Sequence, residues 1–161
     1  MILRSAKNEA ETREIAAELA RAVAAALGAG SPSSLVIGLI GPLGAGKTAF
    51  VRGFMNGLDP AREADVSSPT YALIHVYPGA PEVRHVDLYR LDSEADARGL
   101  GLRELVEEPG VTLIEWIDKL ETTAPLPRID IRLAEGRRHV REIQLEARGA
   151  ALEGILHGLR R

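Results

Sequence analysis

The sequence predicts an α/β domain built on a mixed sheet with a parallel core, antiparallel additions and helices on both faces. Three observations support this fold class. Residues 35–40 form a run without a polar side chain, as expected for a central parallel strand, and residues 111–116 form another apolar strand. In the tail, residues 129–133 and 140–145 alternate between apolar and polar side chains around a turn at residues 135–137. That pattern predicts an antiparallel hairpin.

The first part of the chain predicts a short edge strand at residues 2–4, followed by an amphipathic helix. Asn8 with Glu11 three residues later resembles a capping box, in which Asn8 is the cap. Apolar residues then recur every fourth position, which is the stripe of a helix that packs on one face. The stripe consists of Ile15, Leu19, Val23 and Leu27. A loop rich in Gly, Ser and Pro follows at residues 28–34.

The middle of the chain predicts a helix, a loop and two strands. The helix follows Gly46, ends near Gly57 and carries Phe50, Val51 and Phe54 on its inner side. A loop at residues 59–69 closes on Ser67-Ser68-Pro69, and strand-like runs lie near residues 72–77 and 82–89.

The last part predicts two further helical regions. Residues 92–108 favour a helix, but Gly99 and Gly101 break it. A short final helix carries Leu152, Ile155, Leu156 and Leu159.

Composition excludes several classes of protein. A length of 161 residues, 45% of them hydrophobic, suits one compact domain spanning 1–161. The net charge of -3 gives no basic field for direct nucleic-acid binding. There is no cysteine, which excludes disulfides and thiolate metal sites and fits a reducing compartment. No apolar run reaches the roughly 18 residues of a membrane span, and the N-terminus turns acidic too early for a signal peptide. We therefore expect a cytoplasmic protein.

Residues 39–50 read LIGPLGAGKTAF and contain the pattern G-x-x-x-x-G-K-[ST] of a phosphate-binding loop (P-loop). A predicted strand precedes the loop and a predicted helix follows it, so backbone N–H groups and the helix dipole would face the phosphates. Lys47 should reach the β- and γ-phosphates, and the Thr48 hydroxyl should bind Mg²⁺. The structural alternative is a glycine-rich turn before a helix. The candidate nucleotide-binding residues are Gly41, Pro42, Leu43, Gly44, Ala45, Gly46, Lys47, Thr48 and Ala49.

Hydrolysis or transfer requires more than a P-loop, because a carboxylate must lie near the metal and a group must orient the attacking oxygen. Asp87 in VRHVDLYRL and Glu115 in VTLIEWI each follow apolar residues of a predicted strand, where a carboxylate is costly unless it is paired. Strand ends in such sheets converge on the ligand crevice. Thr70, in SSPTYAL, could cover the γ-phosphate as a switch element. Solvent-facing acids and an ordinary strand-starting threonine are the alternatives.

The ordered set GPLGAGKT, VSSPTYAL, HVDLYRL and LIEW resembles the TsaE family, the bacterial P-loop ATPases of tRNA threonylcarbamoyladenosine biosynthesis. The resemblance runs from the first helix to the tail hairpin and implies a P-loop NTPase-like fold. It also implies slow hydrolysis of ATP with Mg²⁺. The implied partner is the TsaB–TsaD heterodimer, which places a threonylcarbamoyl group on an adenosine next to the anticodon. A member of this family supports turnover of that complex and would meet tRNA indirectly.

Residue by residue, the resemblance implies that Thr48 and Glu115 are the magnesium partners. Thr70 would be the switch threonine, and Asp87 would be the acid that assists hydrolysis. Trp116, directly after Glu115, would support the switch or the partner surface.

The family also suggests two nucleotide contacts outside these motifs. One is a threonine of the first helix, here Thr12. The other is an arginine of the tail hairpin, where Arg141 is preferred although Arg137 and Arg138 lie close to it.

Two positions depart from the family pattern. Pro42 stands where the family usually has an acid, and proline removes a backbone N–H from the phosphate cradle. Ile-Asp-Lys follows Trp116 in place of the more usual proline or alanine, which affects the local partner surface.

Three other functions are compatible with a P-loop. A small kinase could use Asp87 as the base for a substrate hydroxyl, but no segment resembles an arginine-bearing lid. A GTPase would carry an N-K-x-D motif, which the sequence lacks. A nucleotide-sensing scaffold would use ATP binding to control assembly, with incidental hydrolysis.

Overall fold

The computed structural model describes residues 1–30, 32–120, 122–137 and 140–160. Seven strands in this part of the chain are β1 (Ile2–Ala6), β2 (Ser34–Ile40), β3 (Ile74–Tyr77), β4 (Val83–Asp87), β5 (Gly110–Glu115), β6 (Arg128–Glu135) and β7 (Arg141–Arg148). The helices are α1 (Glu9–Gly28), α2 (Lys47–Leu58), α3 (Glu94–Gly99), α4 (Leu102–Glu107) and α5 (Glu153–His157).

All seven strands belong to one sheet, in the order β1-β7-β6-β2-β5-β4-β3. The four strands β6, β2, β5 and β4 are parallel neighbours, with β2 between β6 and β5. The other three strands, β3, β7 and β1, join by antiparallel pairing. The predicted parallel core with antiparallel additions is therefore confirmed, and the tail hairpin is β6–β7.

Each face of the sheet carries a separate hydrophobic cluster. One cluster joins the sheet to α1, α2 and α5 and contains the fully buried Leu19, Phe50 and Phe54. The other joins the opposite face to α3 and α4 and includes Ile114 and Leu102. The prediction of helices on both faces is confirmed. Leu152, Ile155, Leu156 and Leu159 of the predicted final helix all belong to the first cluster.

Close packing of α1 against α2 fixes the helix that follows the P-loop. A Cβ atom at Gly53 would lie 2.3 Å from the carbonyl oxygen of Arg13, and one at Gly57 would lie 2.5 Å from that of Ala17. Since no side chain fits there, these two glycines let the helix backbones approach each other. The start of α2 is thereby held at a defined position relative to α1.

The cap of α1 differs from the predicted capping box. Asn8 caps the helix as expected, because its side-chain oxygen accepts a hydrogen bond of 2.9 Å from Glu11 N. The Glu11 carboxylate, however, accepts from Lys7 N at 2.7 Å and not from the cap residue. The expectation of a reciprocal box was therefore wrong in its second half.

Two residues with left-handed backbone conformations lie at element boundaries. The helix predicted at residues 92–108 divides into α3 and α4 at Gly101, whose φ is 65°. The strand predicted at residues 111–116 ends at Glu115, because Trp116 turns out of it with a φ of 62°. Among the described helices, none is long and apolar enough to cross a membrane.

Candidate nucleotide-binding site

The P-loop connects the end of β2 to the start of α2. Gly46, directly before α2, has a φ of 98°, which favours glycine. Gly41 has a φ of 153°, and a Cβ atom there would lie 2.4 Å from the carbonyl oxygen of Leu133 in β6. Ala45 N donates to Pro42 O at 3.1 Å and closes the loop. The proline that departs from the family pattern thus contributes its carbonyl to the loop.

The two candidate acids are the last residues of adjacent strands, and they lie at the same end of the sheet as the P-loop. Asp87 is the last residue of β4, Glu115 is the last residue of β5, and the two are register partners. Both side chains are buried, with exposed fractions of 2% and 3%. Parallel pairing of β2 with β5 also aligns Glu115 with Leu39, two residues before the loop. The sheet therefore brings both acids to the P-loop, as predicted.

Glu115 lies directly against the start of α2. Thr48 Oγ1 donates a hydrogen bond of 3.0 Å to Glu115 Oε1. The same oxygen lies 2.8 Å from Nε2 of the buried His85. A hydroxyl that donates its proton to a carboxylate keeps its lone pairs for a cation. The predicted magnesium pair is thus adjacent, and its chemistry fits a hard cation.

Asp87 contacts the loop that was predicted as a switch. Its Oδ2 accepts hydrogen bonds from Thr70 Oγ1 at 2.7 Å and from Ser68 Oγ at 3.1 Å. Its Oδ1 accepts from Tyr89 N at 2.9 Å. Asp87 therefore anchors the Ser68–Thr70 segment to the end of β4 in this structure. Thr70 was predicted from the sequence as a switch residue, whereas the hydrogen bond between Ser68 and Asp87 was not predicted.

Lys47 is folded back on its own loop. Its Nζ donates to Gly41 O at 2.6 Å and to Pro42 O at 3.0 Å, and lies 3.7 Å from the centre of the Trp116 ring. Burial lowers the pKa of the Lys47 ammonium, and the nearby carboxylates, Glu115 foremost, oppose that shift. A phosphate would therefore replace backbone carbonyls as the partner of this ammonium.

The Trp116 ring lies against Lys47 Nζ and packs against the hydrophobic cluster on the α3 and α4 face of the sheet. Its ring centre lies 5.2 Å from that of Tyr89, and its backbone N–H donates to Leu39 O at 2.9 Å. In the Ile-Asp-Lys segment that follows, Ile117 and Lys119 each make contacts that hold the local structure. Ile117 is buried and lies where a side chain at Gly38 would be. Lys119 donates to the carbonyl oxygens of Tyr89 and Leu91.

Thr12 and Arg141 meet beside the P-loop. Arg141 Nη1 donates a hydrogen bond of 2.9 Å to Thr12 Oγ1, and the guanidinium carbon lies 3.0 Å from where a Gly46 Cβ would be. Arg137 is exposed in the hairpin turn, whereas Arg138 lies outside the described residues. Arg141 is therefore adjacent to the loop, as its preferred assignment requires.

A cleft of ≈ 420 Å³ lies between the P-loop, the switch segment and the ends of β4 and β5. Its lining includes Lys47, Thr48, Thr70, Asp87, Glu115 and Trp116. Arg52 also lines it and donates from Nε to Val66 O at 3.3 Å, just before the switch segment. Its position four residues after Thr48 on α2 is a signal that would have found it. A second cavity of ≈ 270 Å³ continues past the outer side of the loop, between Pro42 and Arg141.

No cluster of three or more His, Asp or Glu side chains suited to a metal is present in the part of the chain that the structure describes.

A further cavity, of ≈ 680 Å³, lies at the opposite ends of the strands. Its lining includes Ser34 at the start of β2 and Pro127 before β6, together with the apolar Val36, Leu102 and Leu126. It contains none of the predicted site residues. The chemistry of the chain is therefore concentrated at the smaller cleft.

Comparisons with known proteins agree with the motifs. The family profile described as "Threonylcarbamoyl adenosine biosynthesis protein TsaE" matches residues 6–143. The tRNA threonylcarbamoyladenosine biosynthesis protein TsaE of Bacillus subtilis (strain 168) is 35% identical over 150 residues, which are 92% of each chain. The protein of the same name from Treponema pallidum (strain Nichols) is 39% identical over 108 residues, covering 65% of this chain and 78% of its own.

A solved structure has the same fold. The crystal structure of Bacillus subtilis YdiB superposes with a TM-score of 0.74 at 30% identity, and the match covers 98% of this chain and 93% of that one.

Proposed function

The chain belongs to the TsaE family of tRNA threonylcarbamoyladenosine biosynthesis proteins, and we propose that it serves this modification as a Mg²⁺-dependent ATPase. The observation that carries the proposal is the Thr48–Glu115 hydrogen bond at the P-loop, beside an anchored switch segment. A P-loop, a metal-linked carboxylate and a switch threonine are the parts that P-loop NTPases use for hydrolysis.

ATP would lie along the P-loop with its phosphates at the start of α2. Lys47 would exchange its two backbone carbonyl partners for β- and γ-phosphate oxygens. Arg141 lines the cavity on the outer side of the loop, which supports its assignment as a further nucleotide contact. Thr12 is buried behind it and accepts a hydrogen bond from its guanidinium, so Thr12 would act by holding Arg141 in place.

Mg²⁺ would be held by Thr48 Oγ1, with Glu115 binding directly or through water. When bound, the cation would neutralise charge on the β- and γ-phosphates. Glu115 fits this role because it is buried and already accepts the Thr48 hydroxyl proton, so the threonine lone pairs remain available.

Asp87 and Thr70 would control hydrolysis. Thr70 donates to Asp87 Oδ2 here, so the switch segment and the acid form one unit. We assign to Asp87 the orientation of the attacking water or of the switch segment. Release of Thr70 from Asp87 Oδ2 would free a lone pair of that oxygen for a hydrogen bond from the attacking water.

The proposed partner is the TsaB–TsaD heterodimer in the cytoplasm. The heterodimer would bind the tRNA, and this chain would act on the tRNA only through it. Trp116 lies against Lys47 and packs at a tilt against Tyr89, and both rings line the cleft. This position would let a partner that touches these rings influence the catalytic lysine and the switch. The slow intrinsic turnover that the family suggests would then be regulated by the complex.

Single-turnover hydrolysis of ATP, measured with and without TsaB–TsaD, tests the proposal. We expect slow hydrolysis by the chain alone and faster hydrolysis with the heterodimer, both abolished by EDTA. Transfer of the γ-phosphate to a small-molecule acceptor would instead identify a kinase. Tight ATP binding without hydrolysis in either mixture would identify a nucleotide-sensing scaffold.

A further inference from the structure

His85 is a buried polar side chain for which the motifs assign no role. It lies in β4 two residues before Asp87, and its exposed fraction is 0%. Side chains two residues apart on a strand share a face, so His85 points to the same side of the sheet as Asp87. Parallel pairing with β5 brings it diagonally to Glu115, and its Nε2 lies 2.8 Å from Glu115 Oε1.

The position would otherwise be filled by an apolar side chain. The neighbours of His85 on this face include Val83, Val111 and Leu113, all fully buried. His85 Nδ1 has no hydrogen-bond partner in the described part of the chain. A buried polar atom without a partner is destabilising. A leucine would avoid that cost, so the imidazole is explained better by what its Nε2 does.

The Nε2 atom acts on one oxygen of Glu115. A carboxylate only accepts hydrogen bonds, so the imidazole must carry its proton on Nε2. Thr48 Oγ1 donates to the same Oε1 at 3.0 Å. The second oxygen, Oε2, makes no hydrogen bond among the described residues. Two donors on Oε1 therefore define the carboxylate plane and leave Oε2 for an incoming ligand.

We propose that His85 is a positioning residue for Glu115, which it holds through an Nε2–H···Oε1 hydrogen bond so that Oε2 meets Mg²⁺ or its water shell. His85 itself does not touch the nucleotide. This inference rests on the proposed function. Hydrogen-bonded groups behind a metal ligand orient it, and their loss typically lowers metal affinity or activity about 10–100-fold.

Three variants test the proposal by binding. His85→Leu removes the donor, His85→Gln retains an amide N–H of similar reach, and His85→Asn shortens that reach. ATP affinity is titrated by calorimetry for each at several Mg²⁺ concentrations and in EDTA. We expect the gain in ATP affinity from Mg²⁺ to fall about tenfold in His85→Leu and less in His85→Gln, with affinity in EDTA unchanged.

His75→Leu is the matched control. His75 in β3 is the register partner of His85, so the two changes remove the same side chain from adjacent strands. His75 contacts Tyr77 and not Glu115. The control should keep the parental Mg²⁺ dependence. If His85→Leu does not fold, the comparison of Gln with Asn takes its place, and we expect the weaker Mg²⁺ dependence in Asn.

The proposal is overturned if the parent shows Mg²⁺-dependent ATP binding and the His85 variants keep it in full. A parent that binds ATP without any Mg²⁺ dependence contradicts the proposed function instead. Nitrogen-15 NMR of the imidazoles in the nucleotide-free protein tests the hydrogen bond separately. We expect a proton on Nε2 of His85, with the imidazole signals shifted in Glu115→Gln. A proton on Nδ1 alone would exclude the positioning role.

Discussion

Thr70 Oγ1 donates a hydrogen bond of 2.7 Å to Asp87 Oδ2, which ties the switch segment to the end of β4. The same oxygen accepts from Ser68, so both hydroxyls of the segment depend on one carboxylate. Asp87 is also held through its other oxygen by the backbone of Tyr89. The position of the switch segment in this structure is thus set by an acid that belongs to the sheet.

Thr70→Val should slow hydrolysis while leaving Mg·ATP affinity nearly unchanged. The change keeps the branched shape but removes the hydroxyl that would act as the switch over the γ-phosphate, while Ser68 can still donate to Asp87. We expect hydrolysis to fall at least about tenfold, since one general acid–base or orienting contact contributes typically 10²–10⁴-fold. Single-turnover hydrolysis and calorimetry measure the two effects. Ser67→Ala is the control, because Ser67 is exposed in the same segment. Equal loss in both variants would contradict the role of Thr70.

Lys47→Ala and Thr48→Ala should each weaken Mg·ATP binding. The first removes a phosphate charge partner and the second a metal ligand, and hydrogen bonds to charged groups contribute about 1.5–3 kcal/mol. Affinity should therefore fall at least about tenfold, with Thr48→Ala losing its effect in EDTA. Calorimetry checks this. Unchanged affinity together with full hydrolysis in both variants would refute the P-loop assignment.

Arg141→Ala should weaken ATP binding more than Arg137→Ala. Arg141 lies beside Gly46 and bonds Thr12, whereas Arg137 is exposed in the turn of the hairpin. We expect a loss of about tenfold for Arg141, from one charged contact, and less than about twofold for Arg137. A fluorescent ATP analogue can report both affinities. A larger loss at Arg137 would reverse the assignment.

Adenine nucleotides should bind more tightly than guanine nucleotides. The sequence lacks an N-K-x-D motif, and the proposed function is hydrolysis of ATP. Direct titration with ADP and GDP at equal Mg²⁺ compares them. Tighter binding of GDP would contradict this prediction.

Local pattern was sufficient to predict much of the fold and the site. The apolar run of β2 followed by Gly41 to Thr48 gave the P-loop pattern. Asp87 and Glu115 were singled out because a carboxylate in a buried strand is costly unless it is paired, and because strand ends beside a P-loop converge on the ligand crevice. The hydrogen bond between His85 and Glu115 was not predicted, because His85 looks like an ordinary strand residue until β4 and β5 are paired. Strand order is likewise set by tertiary packing and not by local preference.

The fold-back of Lys47 also lies beyond local sequence. Its contact with Trp116 depends on the left-handed turn at the end of β5, where a bulky residue is uncommon. Sequence reasoning marked Trp116 as notable but could not place its ring. Arg52 was also not predicted. Its spacing from Thr48 on α2 points to the cleft, but its hydrogen-bond partner, Val66 O, belongs to an irregular loop.

Glu115→Gln and Asp87→Asn should separate metal binding from turnover. Glu115→Gln should reduce the Mg²⁺ dependence of ATP binding as well as hydrolysis, because it weakens the acceptor that holds Thr48. Asp87→Asn should retain nucleotide binding and lose turnover. Affinity at several Mg²⁺ concentrations, paired with hydrolysis in the presence of TsaB–TsaD, provides the measurement. Normal hydrolysis in Glu115→Gln with loss of Mg²⁺-dependent binding in Asp87→Asn would show that the roles are reversed.

The most direct test of the central claim is repeated formation of threonylcarbamoyladenosine in a reaction that contains TsaB–TsaD, tRNA and a threonylcarbamoyl donor. The chain is added with either ATP or a non-hydrolysable ATP analogue, and modified tRNA is counted per heterodimer. If the chain acts as a Mg²⁺-dependent ATPase in this modification, ATP will support many turnovers, and the analogue will support about one at most. Equal product with ATP and with the analogue would contradict the account and favour control by nucleotide binding alone.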